Sequence, residues 1–280
     1  MTDLIRLGIF GWPVAHSKSP QMHESAARAL GIALRYERFE VAPDGLAEAV
    51  RAKHSTGIDG YNLTVPHKVA IMSLIDEVAP AARAIGAVNT VVRRGGRYLG
   101  DNTDAPGFVR SLEEAGVQLS GAHVVVLGAG GAARAAVVGL AQAGAAEIRV
   151  LSRRPEQSEA LCRSLAGAVG CSLKAAALDE AGRHFDGASL LVQATSATLA
   201  SSPVAQAFAE SVPIEALPEE AAVVDMVYEP LQTAVLARAE ARGLQTIDGL
   251  GMLLHQGAIA FEMWTGMKPP LDVMRSALKD

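Results

Sequence analysis

Val124-Val125-Val126-Leu127-Gly128-Ala129-Gly130-Gly131-Ala132-Ala133-Arg134-Ala135 passes from an apolar run through a glycine turn into an alanine-rich stretch. The apolar run reads as a short buried strand and the alanines as a helix. Strand, turn and helix in that order are the context of a G-x-G-x-x-A dinucleotide fingerprint. Small residues allow the tight turn, and they let backbone N–H groups approach a pyrophosphate at the helix N-terminus. A glycine-rich packing turn is the plain alternative. About twenty residues further on, where an NAD-selective site places Asp or Glu against the ribose 2′-hydroxyl, the strand Ile148–Leu151 ends in Ser152-Arg153-Arg154. Two arginines and no acid suit a 2′-phosphate, so the cofactor expected is NADP (NADPH). The fingerprint begins only after 127 residues, which puts the substrate machinery first.

At 280 residues the chain holds material for two domains. Half of it is apolar and only 4% aromatic, so Ala, Val and Leu fill the core. A net charge of −5 argues against a nucleic-acid surface, and the paired arginines read as local anion sites. Cys162 and Cys171, the only cysteines, read as reduced structural thiols. Leu4 to Phe10 looks like a strand with no basic n-region or cleavage site, and no apolar run approaches a membrane span. These features predict a soluble cytoplasmic protein.

Working outward from the fingerprint, Leu4–Gly11, Tyr36–Val41, Gly60–Val65, Ala87–Arg93 and Arg97–Gly100 read as strands. Helices are expected from Pro20 to about Leu30, with Ser19 as N-cap and Gly31 closing, and over Asp44–Lys53. Another should start at Pro66, and Asp104–Gly116 should link to the fingerprint strand. Further strands fall near Leu190, Val223 and Thr246, then helices over Leu250–Phe261 and Leu271–Leu278. Alternating strands and helices imply an α/β fold with a mostly parallel sheet in the first domain. The last two helices have no strand to cover in the second domain, so they should return to the first.

Chemistry concentrates at strand ends. Asn62-Leu63-Thr64-Val65-Pro66-His67-Lys68 closes one strand, at the sheet edge where open α/β folds bind ligands. Alternation puts Asn62 and Thr64 on one face, and Lys68 falls in the expected first helical turn. An ammonium there is disfavoured by the macrodipole by about 0.3–1 kcal/mol, so it needs a partner or a proton-transfer role; a surface lysine is the alternative. Gly100-Asp101-Asn102-Thr103-Asp104 offers carboxylates at another strand end, with Asp104 equally suited to capping a helix. Asn89-Thr90 adds polar side chains to a buried strand. Ser17 and Ser19 at a helix start suit a carboxylate. His16 and His23 lack the acid or cysteine company of a metal site, so no metal is expected.

These segments together resemble the shikimate dehydrogenase family. The resemblance runs in order through Gly11–Pro20, Asn62–Lys68, Gly86–Thr90, Gly100–Asp104, Gly128–Ala132, Asp225–Tyr228 and Gly249–Leu253 to Gln256. It implies NADPH-dependent reduction of 3-dehydroshikimate to shikimate, a step of aromatic amino-acid biosynthesis. The substrate domain would comprise 1–106 with 249–280 and the Rossmann-type NADP domain 107–248, with the active site in the cleft between them. Ser17 and Ser19 would bind the carboxylate, and Asn62, Thr64, Asn89, Tyr228 and Gln256 the ring hydroxyls. Lys68 and Asp104 would form the acid–base pair on the substrate. Gly128, Ala129, Gly130, Gly131, Ala132, Ser152, Arg153, Arg154 and Thr195 would hold the cofactor, with Met226 and Gly249 against the nicotinamide. The partners implied are small molecules, not nucleic acid or membrane, and the protein would be a monomer or homodimer. A quinate/shikimate dehydrogenase using NAD as well, or a regulatory paralogue without catalysis, are the alternatives.

Several positions depart from the family pattern. Gln193 stands where Asn is usual, Ala197-Thr198-Leu199 replaces a glycine-containing turn, Arg154 replaces a threonine, and Glu24 follows His23 where Asn is frequent. At Thr198 the turn is expected to take a negative φ.

Overall fold

The computed structural model describes residues 4–279; the ends of the expected substrate domain, 1–3 and 280, lie outside it. The chain divides into two compact units, one running to Thr103 and resuming at Leu254, the other spanning Asp104–Leu253.

The first unit is built on β1 (Ile5–Gly11), β2 (Leu34–Glu40), β3 (Gly60–Leu63), β4 (Glu77–Val78), β5 (Thr90–Arg94) and β6 (Arg97–Asp101), in the order β2-β1-β3-β5-β6-β4. Three of its five pairings are parallel; β3/β5 is antiparallel, and so is β5/β6, which the Gly95-Gly96 turn folds into a hairpin. The core beneath is aromatic where it can be, with the Phe10 ring against both Phe39 and Tyr61. The C-terminal helices return to this unit as expected. Lys18 Nζ donates to Leu278 O (2.6 Å), Gln21 Nε2 to Ala277 O (3.1 Å), and Trp264 Nε1 to Val91 O (2.9 Å).

The second unit is an all-parallel sheet of β7 (His123–Leu127), β8 (Glu147–Ser152), β9 (Ser172–Ala177), β10 (Leu190–Gln193), β11 (Ala222–Asp225) and β12 (Gln245–Ile247), ordered β12-β11-β10-β7-β8-β9. The chain builds outward from β7 to β9, then crosses back to build from β10 to β12. This is the doubly wound dinucleotide-binding order, with its switch point between β7 and β10.

Four expectations need correction. No helix starts at Pro66: residues 65–69 form turns, followed by a short 3-10 segment, Ala70–Ser73. Lys68 therefore sits in a turn whose carbonyl accepts from Val88 N (2.8 Å), and the macrodipole argument for it lapses. Ser19 is the first residue of the helix Ser19–Ala29, not its cap; Lys18 holds the cap position, and Ser17 Oγ accepts from Ser19 N (3.3 Å). Residues 87–89 lie outside β5, because their N–H groups go to Ala82, Lys68 and Asp101 carbonyls instead of a strand ladder. Finally, Pro43–Gly45 forms a 3-10 turn before the helix Leu46–Ser55, which begins later than Asp44.

Candidate active site

In the first unit, the ends of β3 and β5 carry a buried polar network. Asn62 Nδ2 donates to Asn89 O (3.0 Å) and Thr90 Oγ1 (2.9 Å), while its Oδ1 accepts from the Tyr36 hydroxyl (2.6 Å). Asn89 Oδ1 accepts from Thr103 N (2.7 Å) and Thr90 Oγ1 (3.1 Å), and its Nδ2 donates to Thr103 Oγ1 (3.0 Å) and Gln256 Oε1 (3.4 Å). These side chains are all buried. So much satisfied polarity inside a small unit rigidifies it and fixes one arrangement. Of the expected substrate residues, Asn62, Asn89 and Gln256 are brought together here. Tyr36 and Thr103 belong to the network without having been given a role from sequence. A tyrosine inside a strand and a threonine beside two acids carry no local signal; only the pairing of strands brings them in.

The loop after β1 supplies the serines. Ser17 N donates to Val14 O (3.0 Å), and the Arg38 guanidinium donates to Ser17 O (2.6 and 3.1 Å). Ser19 is buried, and its hydrogen bond to Tyr36, together with the Arg38 charge, opposes the burial that raises the Tyr36 hydroxyl well above its usual range. Thr64 Cγ2 fills the space where a Cβ on Gly11 would lie, which requires glycine there. His67 is buried and hydrogen-bonds Val41 O (2.8 Å), pinning the turn that carries Lys68. His16 is exposed.

In the second unit, Asp104 is buried as the first residue of the helix Asp104–Glu114. Tyr228 is half-buried, and burial, then the Glu229 charge, raise its hydroxyl above the ordinary range.

The fingerprint turn meets the geometric demands of a dinucleotide. Gly128 has φ +114°, and a Cβ on it would lie 2.9 Å from Thr195 Cγ2. At Gly130 and Gly131 a Cβ would meet nothing within 4 Å, so the helix start at Gly131 faces open space. A cavity of about 210 Å³ opens at this switch point, and Gly128, Ala129, Arg153, Arg154, Thr195 and Ser196 contribute to its wall. Arg153 and Arg154 are exposed there. Ser152 Oγ donates to Arg154 O (2.7 Å), and the Gln157 side-chain oxygen accepts from Arg154 Nε (3.3 Å) and Nη2 (2.7 Å). An open turn of glycines with cations at the end of the next strand fits an anionic dinucleotide. On the neighbouring strand end, Gly249 N donates to Val227 O (3.2 Å), and a Cβ on Gly249 would lie 2.5 Å from Met226 O.

A larger hollow of about 310 Å³ lies on the β1–β2 face beside Arg6, Arg35 and Lys53, and none of the expected site residues lines it. Among the described residues no cluster of three or more His, Cys, Asp or Glu is arranged to hold a metal, no helix is long and apolar enough to cross a membrane, and Cys162 and Cys171 are free.

Family models match most of the chain: the shikimate dehydrogenase substrate binding domain over residues 9–91, shikimate / quinate 5-dehydrogenase over 111–227, and the shikimate 5′-dehydrogenase C-terminal domain over 249–279. The shikimate dehydrogenase (NADP(+)) of Symbiobacterium thermophilum is 45% identical over 277 residues, covering 97% of this chain and 92% of that protein. The shikimate 5-dehydrogenase of Thermus thermophilus, solved in complex with NADP(H) and shikimate, matches with a TM-score of 0.85 at 40% identity over 99% of each chain. A quinate dehydrogenase from Corynebacterium glutamicum, solved with NAD, matches with a TM-score of 0.90 at 32% identity over 99% of each chain. The chain belongs to the shikimate dehydrogenase family.

Proposed function

We propose that this protein catalyses the reversible NADP-dependent reduction of 3-dehydroshikimate to shikimate, a step of aromatic amino-acid biosynthesis. The observation that carries the reading is the polar network of Asn62, Asn89, Thr103 and Gln256 in a chain whose second unit opens a cationic cavity at its fingerprint turn. Residues 1–106 with 249–280 supply the substrate side, and 107–248 the cofactor side.

Ser17 and Ser19 bind the substrate carboxylate, a role supported by the Arg38 clamp on Ser17. Asn62, Thr64, Asn89, Tyr228 and Gln256 recognise hydroxyls. Gly128, Ala129, Gly130, Gly131 and Ala132 take the pyrophosphate, Ser152, Arg153 and Arg154 the 2′-phosphate, and Thr195, Met226 and Gly249 the remainder of the dinucleotide. Bound NADPH supplies the hydride for the ketone carbon. Negative charge then develops on the ketone oxygen, where the Lys68 ammonium stabilises it and the Lys68/Asp104 pair supplies the proton that completes the hydroxyl. Asp104 orients Lys68 and accepts a hydrogen bond from the substrate. The same reading makes the protein a cytoplasmic monomer or homodimer.

A spectrophotometric panel of shikimate and quinate against NADP and NAD tests it. Shikimate with NADP should turn over best, with quinate much poorer. Equal turnover of quinate makes the protein a quinate/shikimate dehydrogenase, and turnover of neither makes it a non-catalytic paralogue.

A further inference from the structure

Three side chains of the second unit that line no part of the proposed cofactor cavity form a buried, hydrogen-bonded cluster. Gln193 ends β10 and Asp225 ends β11, and the two are register partners in the parallel ladder. Both are fully buried, and Thr198 beside them is 2% exposed. Asp225 Oδ1 accepts from Gln193 Nε2 (3.1 Å), Thr198 Oγ1 (3.2 Å) and Val227 N (3.0 Å), and Oδ2 accepts from Thr233 Oγ1 (2.8 Å). Gln193 Oε1 accepts from Thr195 N (2.7 Å), and its Nε2 faces Thr195 O (3.0 Å) and Thr198 Oγ1 (2.7 Å) as well as Asp225. Two amide protons serve three acceptors, and the Thr198 hydroxyl closes the arrangement by donating to the carboxylate.

The cluster joins two segments of different strands. Thr195, Ser196 and Ala197, in the turn it holds from beneath, line the cavity. Met226 and Val227 form the segment on the other side, with Met226 N donating to Gln193 O (2.9 Å) and Val227 O accepting from Gly249 N (3.2 Å). Gly128 touches the same turn, since Thr195 Cγ2 occupies the space beside it. Burial raises the Asp225 carboxyl above its usual range against the four donors that face it, so the cluster tolerates the loss of a donor poorly. Gln193 and Thr198, two of the departures the resemblance marks, bond to each other: the amide reaches a hydroxyl that a glycine could not supply.

We propose that Gln193 and Thr198 are positioning residues, which act through Asp225 to hold the cavity turn 195–197 in fixed register with the Met226–Val227 segment and so set how the dinucleotide is seated. This rests on the cofactor reading given above. The test is direct binding of NADP+ and of NAD+ to the whole protein without shikimate, beside steady-state kinetics, for Thr198→Val, Thr198→Ser and Gln193→Asn. Thr198→Val keeps the shape and removes the hydroxyl. It should weaken NADP+ and NAD+ by the same factor, roughly three- to tenfold, lower kcat, and leave the shikimate KM unmoved, while Thr198→Ser restores the wild-type values. Should Thr198→Val not fold, Gln193→Asn, which withdraws the amide by one methylene, carries the same expectation. A lowered melting temperature with unchanged dinucleotide binding and kcat would make the cluster merely structural and overturn the proposal, as would weakening confined to NADP+. Wild-type protein that binds NADP+ but oxidises no shikimate would instead count against the proposed reaction, and the binding arm would still decide the positioning role.

Discussion

Asn89 and Thr103 are locked together: the Thr103 backbone N–H donates to Asn89 Oδ1 (2.7 Å), and Asn89 Nδ2 donates to Thr103 Oγ1 (3.0 Å). This pairing fixes the backbone immediately before Asp104, the residue proposed as the acid–base carboxylate. Asn89→Ala strands the Thr103 N–H and removes a partner from Asn62's neighbours. It should cost about 1–3 kcal/mol of stability and lower kcat as well as shikimate affinity. Urea unfolding with parallel kinetics checks this; a loss of affinity with unchanged kcat would separate Asn89 from the placement of Asp104.

Arg153 should select the 2′-phosphate through a charge-assisted contact. Arg153→Ala is expected to raise the NADP KM by an amount worth about 1.5–3 kcal/mol and to leave the NAD KM nearly unchanged. Equal weakening of both cofactors would make the arginine structural.

Gly131 begins the fingerprint helix with nothing within 4 Å of where a Cβ would stand. Gly131→Ala should therefore fold within about 0.5 kcal/mol of wild type, yet place a methyl group in the proposed pyrophosphate site. NADP and NAD should weaken together, by about tenfold or more. Unchanged affinity for both would mean that the phosphates lie elsewhere.

His23 is wholly buried, stacked on Tyr36 (centroids 4.8 Å apart) and Phe261 (6.2 Å) with Trp264 edge-on (5.2 Å), and burial lowers its pKa from 6.5 to about 3. Between those values the unfolded chain binds a proton that the folded chain does not. Its contribution is complete above pH 6.5 and is lost as the pH falls toward 3, with a full size on the order of 5 kcal/mol. His23→Phe keeps the stacking and removes the titration, so the difference in unfolding free energy between pH 7 and pH 4 should shrink. The same acid loss in both proteins would show that His23 is not its source.

The sequence was most legible where a local pattern maps onto one element. The Val124–Leu127 strand, its glycine turn and its helix could be read directly because each depends on neighbours in the chain. β9 was invisible: Ser172–Ala177 has no alternation and no bulky β-branched residue, and it is a strand only because β8 offers a partner edge. Pro66 suggested a helix that does not form, since the backbone there is drawn into bonds with Thr64 and Val88 instead. The motif residues Asn62, Asn89 and Gln256 were found one by one, but their hydrogen bonds across up to 167 positions, and the parts of Tyr36 and Thr103, exist only in the folded chain. Gln193 and Thr198 looked like two separate departures; the structure makes them bonded neighbours.

The central claim is that Lys68 and Asp104 act as one acid–base unit on the substrate oxygen, and kcat for Lys68→Ala, Asp104→Ala and the double variant tests it most directly, with folding checked separately. Lys68→Ala should lower kcat by roughly 10²–10⁴ while shikimate affinity falls less, because the proposed carboxylate contacts of Ser17 and Ser19 remain. Adding Asp104→Ala should cost little more, as for residues that work together. Near-normal kcat in Lys68→Ala with only a raised KM, or losses that multiply in the double variant, would contradict the account.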